Sequence, residues 1–181
     1  IGTGSRGRYL LKALGYVQPE SVDRWQVSAR EDPFYREYLQ NFLEQEDLNV
    51  EVTAVCDIFD ANARKGMLAS SNPDRTGTGG KSGKEPVRYK TYKELCSASD
   101  VDAVIIATPD HWHVPMALEA ARNGKHVYCE KPLSWTLAET YEIRNVIRES
   151  GVVFQLGHQG RQTASYQVAR SLLRQTVLGK V

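Results

Sequence analysis

Apolar residues follow two rhythms along this chain, short unbroken runs and stripes at helical spacing, and the two take turns. Val104-Ile105-Ile106-Ala107 is an unbroken run of the kind buried on both faces of a parallel sheet. Met116, Ala117, Leu118, Ala120 and Ala121 then recur at helical spacing within 114–123, and Asn123-Gly124 offers a left-handed stop before a strand opens at His126. Thr136-x-x-Glu139 forms a capping box for a helix through Arg148, Ser150-Gly151 ends it, and Val152-Val153-Phe154-Gln155-Leu156 is the next strand. A last helix spans about Ala164 to Val177, and Thr91-x-x-Glu94 caps a short helix ahead of Val104. Val50-Glu51-Val52-Thr53-Ala54-Val55-Cys56 alternates and then runs apolar, which predicts a further strand closed by Asp57. Right-handed crossovers stack such units into one parallel sheet with every strand C-terminus on one edge, so the fold class is α/β, a Rossmann-like doubly wound parallel sheet in three α/β/α layers. Ligands of such sheets bind at that edge.

The start of the chain supplies a reason for a ligand. Gly2-Thr3-Gly4-Ser5-Arg6-Gly7, followed by Tyr9, Leu10, Leu11 and Leu14 on a helical stripe, is a G-x-G-x-x-G fingerprint. Its first glycine permits the tight turn, its second lets backbone approach a pyrophosphate, and its third lets helix and strand pack closely, while the helix N-terminus supplies donors. Ile1 alone stands for the strand that should precede it, so the chain is expected to open inside that strand. Asp57 is placed to accept hydrogen bonds from the adenosine ribose, and an acid there repels a 2′-phosphate, which favours NAD over NADP; Arg6 and Arg64 soften the preference. The interval to Asp57 is far longer than about 20 residues. The excess lies in residues 16–48, read as an insertion in which Asp32-Pro33 starts a helix with Phe34, Tyr35, Tyr38, Leu39, Phe42 and Leu43 on one face.

Composition narrows the partners. The 181 residues, 41% of them apolar, suffice for one domain with a sizeable core, and a net charge of +1 leaves no electrostatic footprint for nucleic acid. No apolar run reaches membrane-spanning length. Cys56, Cys96 and Cys129 are odd in number and lie on or beside predicted buried elements, as buried thiols do. The segment 72–86 contains Gly77-Thr78-Gly79-Gly80-Lys81-Ser82-Gly83-Lys84, but Arg75 stands where a phosphate-binding loop needs glycine, and a basic surface loop is expected. Asp110, His111 and His113 have no third imidazole or thiolate at a zinc spacing, so no metal site is expected.

Placed together, these residues resemble the N-terminal domain of the glucose-fructose oxidoreductase and inositol dehydrogenase (Gfo/Idh/MocA) family. The likeness rests on Gly2 to Gly7, Thr108-Pro109 with His113, Gly124-Lys125-His126-Val127 followed by Glu130-Lys131-Pro132, and Leu178-Gly179-Lys180-Val181. It implies one NAD(P)-binding domain over 1–181, with 178–181 opening a second, α+β domain that closes over substrate and mediates homo-oligomers. It also implies NAD bound by Gly2, Gly4, Ser5, Arg6, Gly7, Asp57, Thr108, Pro109, His113, Glu130 and Lys131. Lys131 would stand beside the nicotinamide and the reacting carbon, Glu130 would orient its neighbours, and the bond to Pro132 is often cis in the family. Gln155, His158, Gln159 and Arg161 would meet a sugar or polyol, or form a polar loop that packs on the second domain; the family's general base commonly comes from that domain, with His158 a catalytic candidate beside Lys131 only if this subgroup differs. The implied activity is hydride transfer between a secondary alcohol of a sugar or cyclitol and nicotinamide. Alternatives are a redox-neutral, glycoside-cleaving or epimerising enzyme holding NAD tightly, and an NAD-binding regulatory module without turnover. The bacterial subgroup with Asp110-His111-Trp112-His113 often carries an export signal, so cytoplasm and periplasm both remain open.

Overall fold

A computed structural model describes residues 1–71, 84–177 and 179. Five parallel strands carry the fold: β1 (Ala54–Cys56), β2 (Val87–Tyr89), β3 (Ala103–Ile106), β4 (His126–Glu130) and β5 (Phe154–Gly157). β1 pairs with β2, and β3, β4 and β5 pair in that order. The backbone of Ile1 and Gly2 joins the two groups. Ile1 N donates to Ile105 O (2.7 Å), Ala107 N donates to Ile1 O (2.9 Å), and Gly2 N donates to Cys56 O (2.8 Å). These residues therefore occupy a strand position between β1 and β3, and the spatial order is β2, β1, residues 1–2, β3, β4, β5. Chain order reverses at residues 1–2, which is the switch point where doubly wound sheets bind ligands.

Helices flank the sheet: α1 (Ser5–Ala13), α2 (Pro19–Ser28), α3 (Pro33–Leu43), α4 (Asp60–Ser70), α5 (Tyr92–Ser97), α6 (His113–Arg122), α7 (Leu137–Ser150) and α8 (Ala164–Arg174). The main core gathers Leu95, Cys96, Val104, Ile106, Val114, Ala117, Val127, Cys129 and Ile143, where α5, α6 and α7 meet the strands. A second cluster of Leu11, Tyr16 and Ala69 sits between α1 and α4. Both capping boxes form, Thr91 with Glu94 and Thr136 with Glu139, and Gly124 (φ +72°) and Gly151 (φ +67°) end their helices in the left-handed region.

Five expectations need revision. The strand over 50–56 shrinks to Ala54–Cys56, the residues in register with Val87–Tyr89 of β2, with Thr53 O accepting from Val87 N (2.8 Å) just ahead of them. The insertion folds as two helices, with Pro19 at the first turn of α2 and Asp32 capping α3 through Phe34 N. Of the anticipated α3 face, Phe42 and Leu39 pack against Val17, Val22 and Trp25 and Tyr38 meets Trp25 edge to face at 4.9 Å, whereas Phe34 is 66% exposed. On α1, Leu10 and Leu11 are buried but Tyr9 is 54% exposed, and α8 ends at Arg174 with no buried residue. The glycine-rich stretch 72–83 and Leu178, Lys180 and Val181 lie outside the described residues. All three cysteines are free and buried, and burial pushes Cys96 up to about 11 and Cys129 to about 12, so neither is a nucleophile near neutrality.

Candidate active site

Three loops meet at the ligand edge, and each is held by contacts that its sequence dictates. The first is the glycine turn. Gly2 has φ +79°, and a Cβ there would lie 2.7 Å from Ala107 O; a Cβ at Gly7 would lie 2.0 Å from Gly2 O. Both glycines are demanded by close backbone approach. Gly4 differs, because a Cβ there would meet nothing nearer than Asn62 Nδ2 at 3.8 Å, so open space stands over the N-terminus of α1. That cradle, with exposed Ser5 opening the helix behind it, suits a pyrophosphate.

Asp57 anchors this turn to the end of β1. Its Oδ2 accepts hydrogen bonds from Thr3 N (2.7 Å) and Thr3 Oγ1 (3.4 Å), and its Oδ1 accepts from Phe59 N (2.9 Å). The acid thus both holds the glycine turn and caps the next one. A carboxylate has about four acceptor sites, so capacity for ribose hydroxyls remains.

The second and third loops leave β3 and β4. Thr108 and Pro109 follow β3, and Lys131 follows β4 with a cis Lys131–Pro132 bond, as the family likeness implies. His113 fastens the two together from below. It is 1% exposed, with Nδ1 2.6 Å from Pro132 O and Nε2 2.9 Å from Thr108 O, so its ring is committed to loop backbone instead of to the open cleft.

Arg6, Ala107, Thr108, Glu130, Lys131 and Gln159 line a cleft of about 350 Å³ between these loops. Glu130 is 5% exposed and binds Arg6, whose Nε and Nη2 lie 2.7 and 2.6 Å from Oε1. The carboxylate holds the Arg6 guanidinium above its usual range. Tyr128 Oη donates to the same oxygen at 3.4 Å, and burial, then the Glu130 charge, pushes its hydroxyl up. Gly157 makes room for this group: a Cβ there would stand 2.7 Å from Tyr128 Oη and 3.1 Å from Glu130 Oε1. Tyr128 was not anticipated. The available signal was strand alternation, which puts residues 128 and 130 of β4 on one face.

Of the four residues expected to meet substrate, Gln159 reaches the cleft. Gln155 is exposed and donates from Nε2 to Leu156 O (2.8 Å), while exposed His158 caps the short 3-10 turn after β5 (Gln159–Gln162) that holds exposed Arg161, the two joined by an Arg161 N to His158 O bond of 3.0 Å. Among the described residues no group of three or more His, Cys, Asp or Glu side chains could hold a metal ion.

Residues 33–158 match the Gfo/Idh/MocA model, described as an oxidoreductase family with an NAD-binding Rossmann fold. The chain belongs to the Gfo/Idh/MocA family. The matched residues are that family's NAD-binding Rossmann domain. The family match begins inside the insertion; Gly2 to Gly7 lie ahead of it, and their backbone bonds to β1 and β3 restore them to the sheet. The chain is 37% identical over 95 residues to 2,7-anhydro-N-acetylneuraminate hydratase of Escherichia coli, covering 52% of this chain and 26% of that protein. It is 39% identical over 90 residues to 1,5-anhydro-D-fructose reductase of Ensifer adhaerens, covering 50% and 27%. Scyllo-inositol dehydrogenase of Lactobacillus casei, solved with NAD(H) and scyllo-inositol, superposes with a TM-score of 0.59 at 22% identity, over 82% of this chain and 40% of that one. The matched stretch thus spans about a quarter of the length of the curated relatives.

Proposed function

We propose that this protein moves hydride between a secondary alcohol of a sugar or cyclitol and NAD. The observation that carries the reading is the cleft itself, where Lys131 at the end of β4 shares one lining with Arg6 of the glycine turn, Thr108 and Glu130. Bound NAD supplies the hydride acceptor or donor. The residues of this chain supply position and charge. The Lys131 ammonium donates a hydrogen bond to the substrate oxygen and stabilises the negative charge that develops there. Glu130, fixed by Arg6 and Tyr128, keeps the adjoining backbone in register, and Gln159 offers an amide to a neighbouring hydroxyl. His158 is this chain's candidate for taking the hydroxyl proton. Asp57 disfavours a 2′-phosphate at the far end, which supports NAD over NADP.

NADH fluorescence of the full-length protein with NAD and scyllo-inositol, myo-inositol or D-glucose tests this reading. NADH should accumulate with at least one of them, and Lys131→Ala should lower kcat about 100-fold or more while NAD affinity stays within about twofold. The hydratase relative favours a second reading, redox-neutral turnover of an anhydro sugar or glycoside with NAD retained. Product formed without net NADH supports that second reading. Neither product nor NADH from protein that binds NAD contradicts both.

A further inference from the structure

A row of rings runs along the same edge, outside the cleft. Tyr92, Trp112, His111 and Trp135 follow one another with ring centroids 6.0, 6.0 and 6.1 Å apart, the last pair edge to face at 83°. Trp112 is 41% and Trp135 67% exposed. The described residues leave this apolar area uncovered, and large exposed aromatics grouped together mark a binding surface. Their backbones are nevertheless fixed. Trp135 N and Thr136 N both donate to Glu139 Oε2, at 2.9 and 3.0 Å, Trp112 N donates to Pro109 O at 2.9 Å, and His111 N donates to Asp110 Oδ1 at 3.1 Å. The Asp110 and His111 side chains are 43% and 55% exposed beside the rings.

Position and chemistry narrow the occupant. Asp110 to Trp112 extend the loop that carries Thr108, and Trp135 extends the loop that carries Lys131, so the row grows from two walls of the cleft that His113 fastens together. Indole faces take up axial C–H groups, whereas a carboxylate and an imidazole take hydroxyls at a ring's edge. A saturated ring with equatorial hydroxyls presents both at once. A planar base stacks on an indole but carries no belt of equatorial hydroxyls for the carboxylate and imidazole together.

We propose that Trp135, Trp112 and His111, with Asp110, form a platform for a pyranose or cyclitol ring beside the cleft. This rests on the sugar reading above and extends it by naming residues that select the ring. Substrates longer than one sugar unit would place a second unit on this platform, with the reacting unit at Lys131.

The test is calorimetric titration of the full-length protein with methyl β-D-glucopyranoside, a ring with equatorial hydroxyls, and with glycerol, which has hydroxyls but no ring. Both are titrated with and without NAD. The glucoside should bind and glycerol should be at least about tenfold weaker. Trp135→Ala should weaken the glucoside about tenfold, Trp135→Phe should stay within about threefold of the parent, and NAD affinity should not change. Because Trp135 is mostly exposed, both variants should keep the parent's circular dichroism. Parent-like glucoside binding by Trp135→Ala overturns the platform, as does a parent that binds NAD but not the glucoside. Trp135-dependent glucoside binding by a protein that binds no NAD upholds the platform and overturns the NAD-dependent reading alone.

Discussion

At the scale of single residues, the site is a set of side chains whose polar atoms are spent on neighbouring loops. His113 is the clearest case: its type and place were legible beside Thr108-Pro109, but its task was not, because a sequence does not show that Pro132 O and Thr108 O both face the ring. The bond pair gives a stability prediction. His113→Ala would remove the ring that sits between Pro132 O and Thr108 O and empty a fully buried site, at a cost of about 2–4 kcal/mol, read as a lower urea midpoint with an unchanged slope. Asp57 was legible as a strand-end acid, while its hold on Thr3 N came only from the fold. Glu130 was legible within Glu130-Lys131-Pro132; its partners Arg6 and Tyr128 lie 124 and 2 residues away, and the nearer one was overlooked.

At the scale of elements, start and stop signals were read more accurately than faces. Both capping boxes and both glycine stops were legible because they depend on residues three or four apart. Thr136→Ala should therefore cost about 1 kcal/mol, detectable as a lower Tm, and should also release the Trp135–Glu139 clasp. Burial was harder, since α3 and α8 show apolar stripes that the structure leaves largely outside the core. A stripe identifies a face but not what covers it. The strand over 50–56 is shorter than its pattern for a related reason: alternation extends through 50–53, yet β2 is in register with residues 54–56 and holds Thr53 by a single bond from Val87 N. Pro19 marks the first turn of α2, a signal that the longer aromatic pattern of α3 overshadowed.

At the scale of the whole molecule, the order of strands places the glycine turn, Asp57 and Lys131 on one edge, although they lie 50 and more residues apart in sequence. Gly4 tests that account most directly. It is the one fingerprint glycine where a Cβ meets no atom within 3.4 Å, and its φ of −62° suits any residue, so folding does not require glycine there. Cofactor binding does, if the open space over α1 receives a pyrophosphate. The decisive measurement is calorimetric titration of NAD into Gly4→Val and the parent protein, with circular dichroism to establish equal folding. A folded variant whose NAD affinity falls about 100-fold or more is the predicted result; a folded variant that binds NAD like the parent would contradict the account.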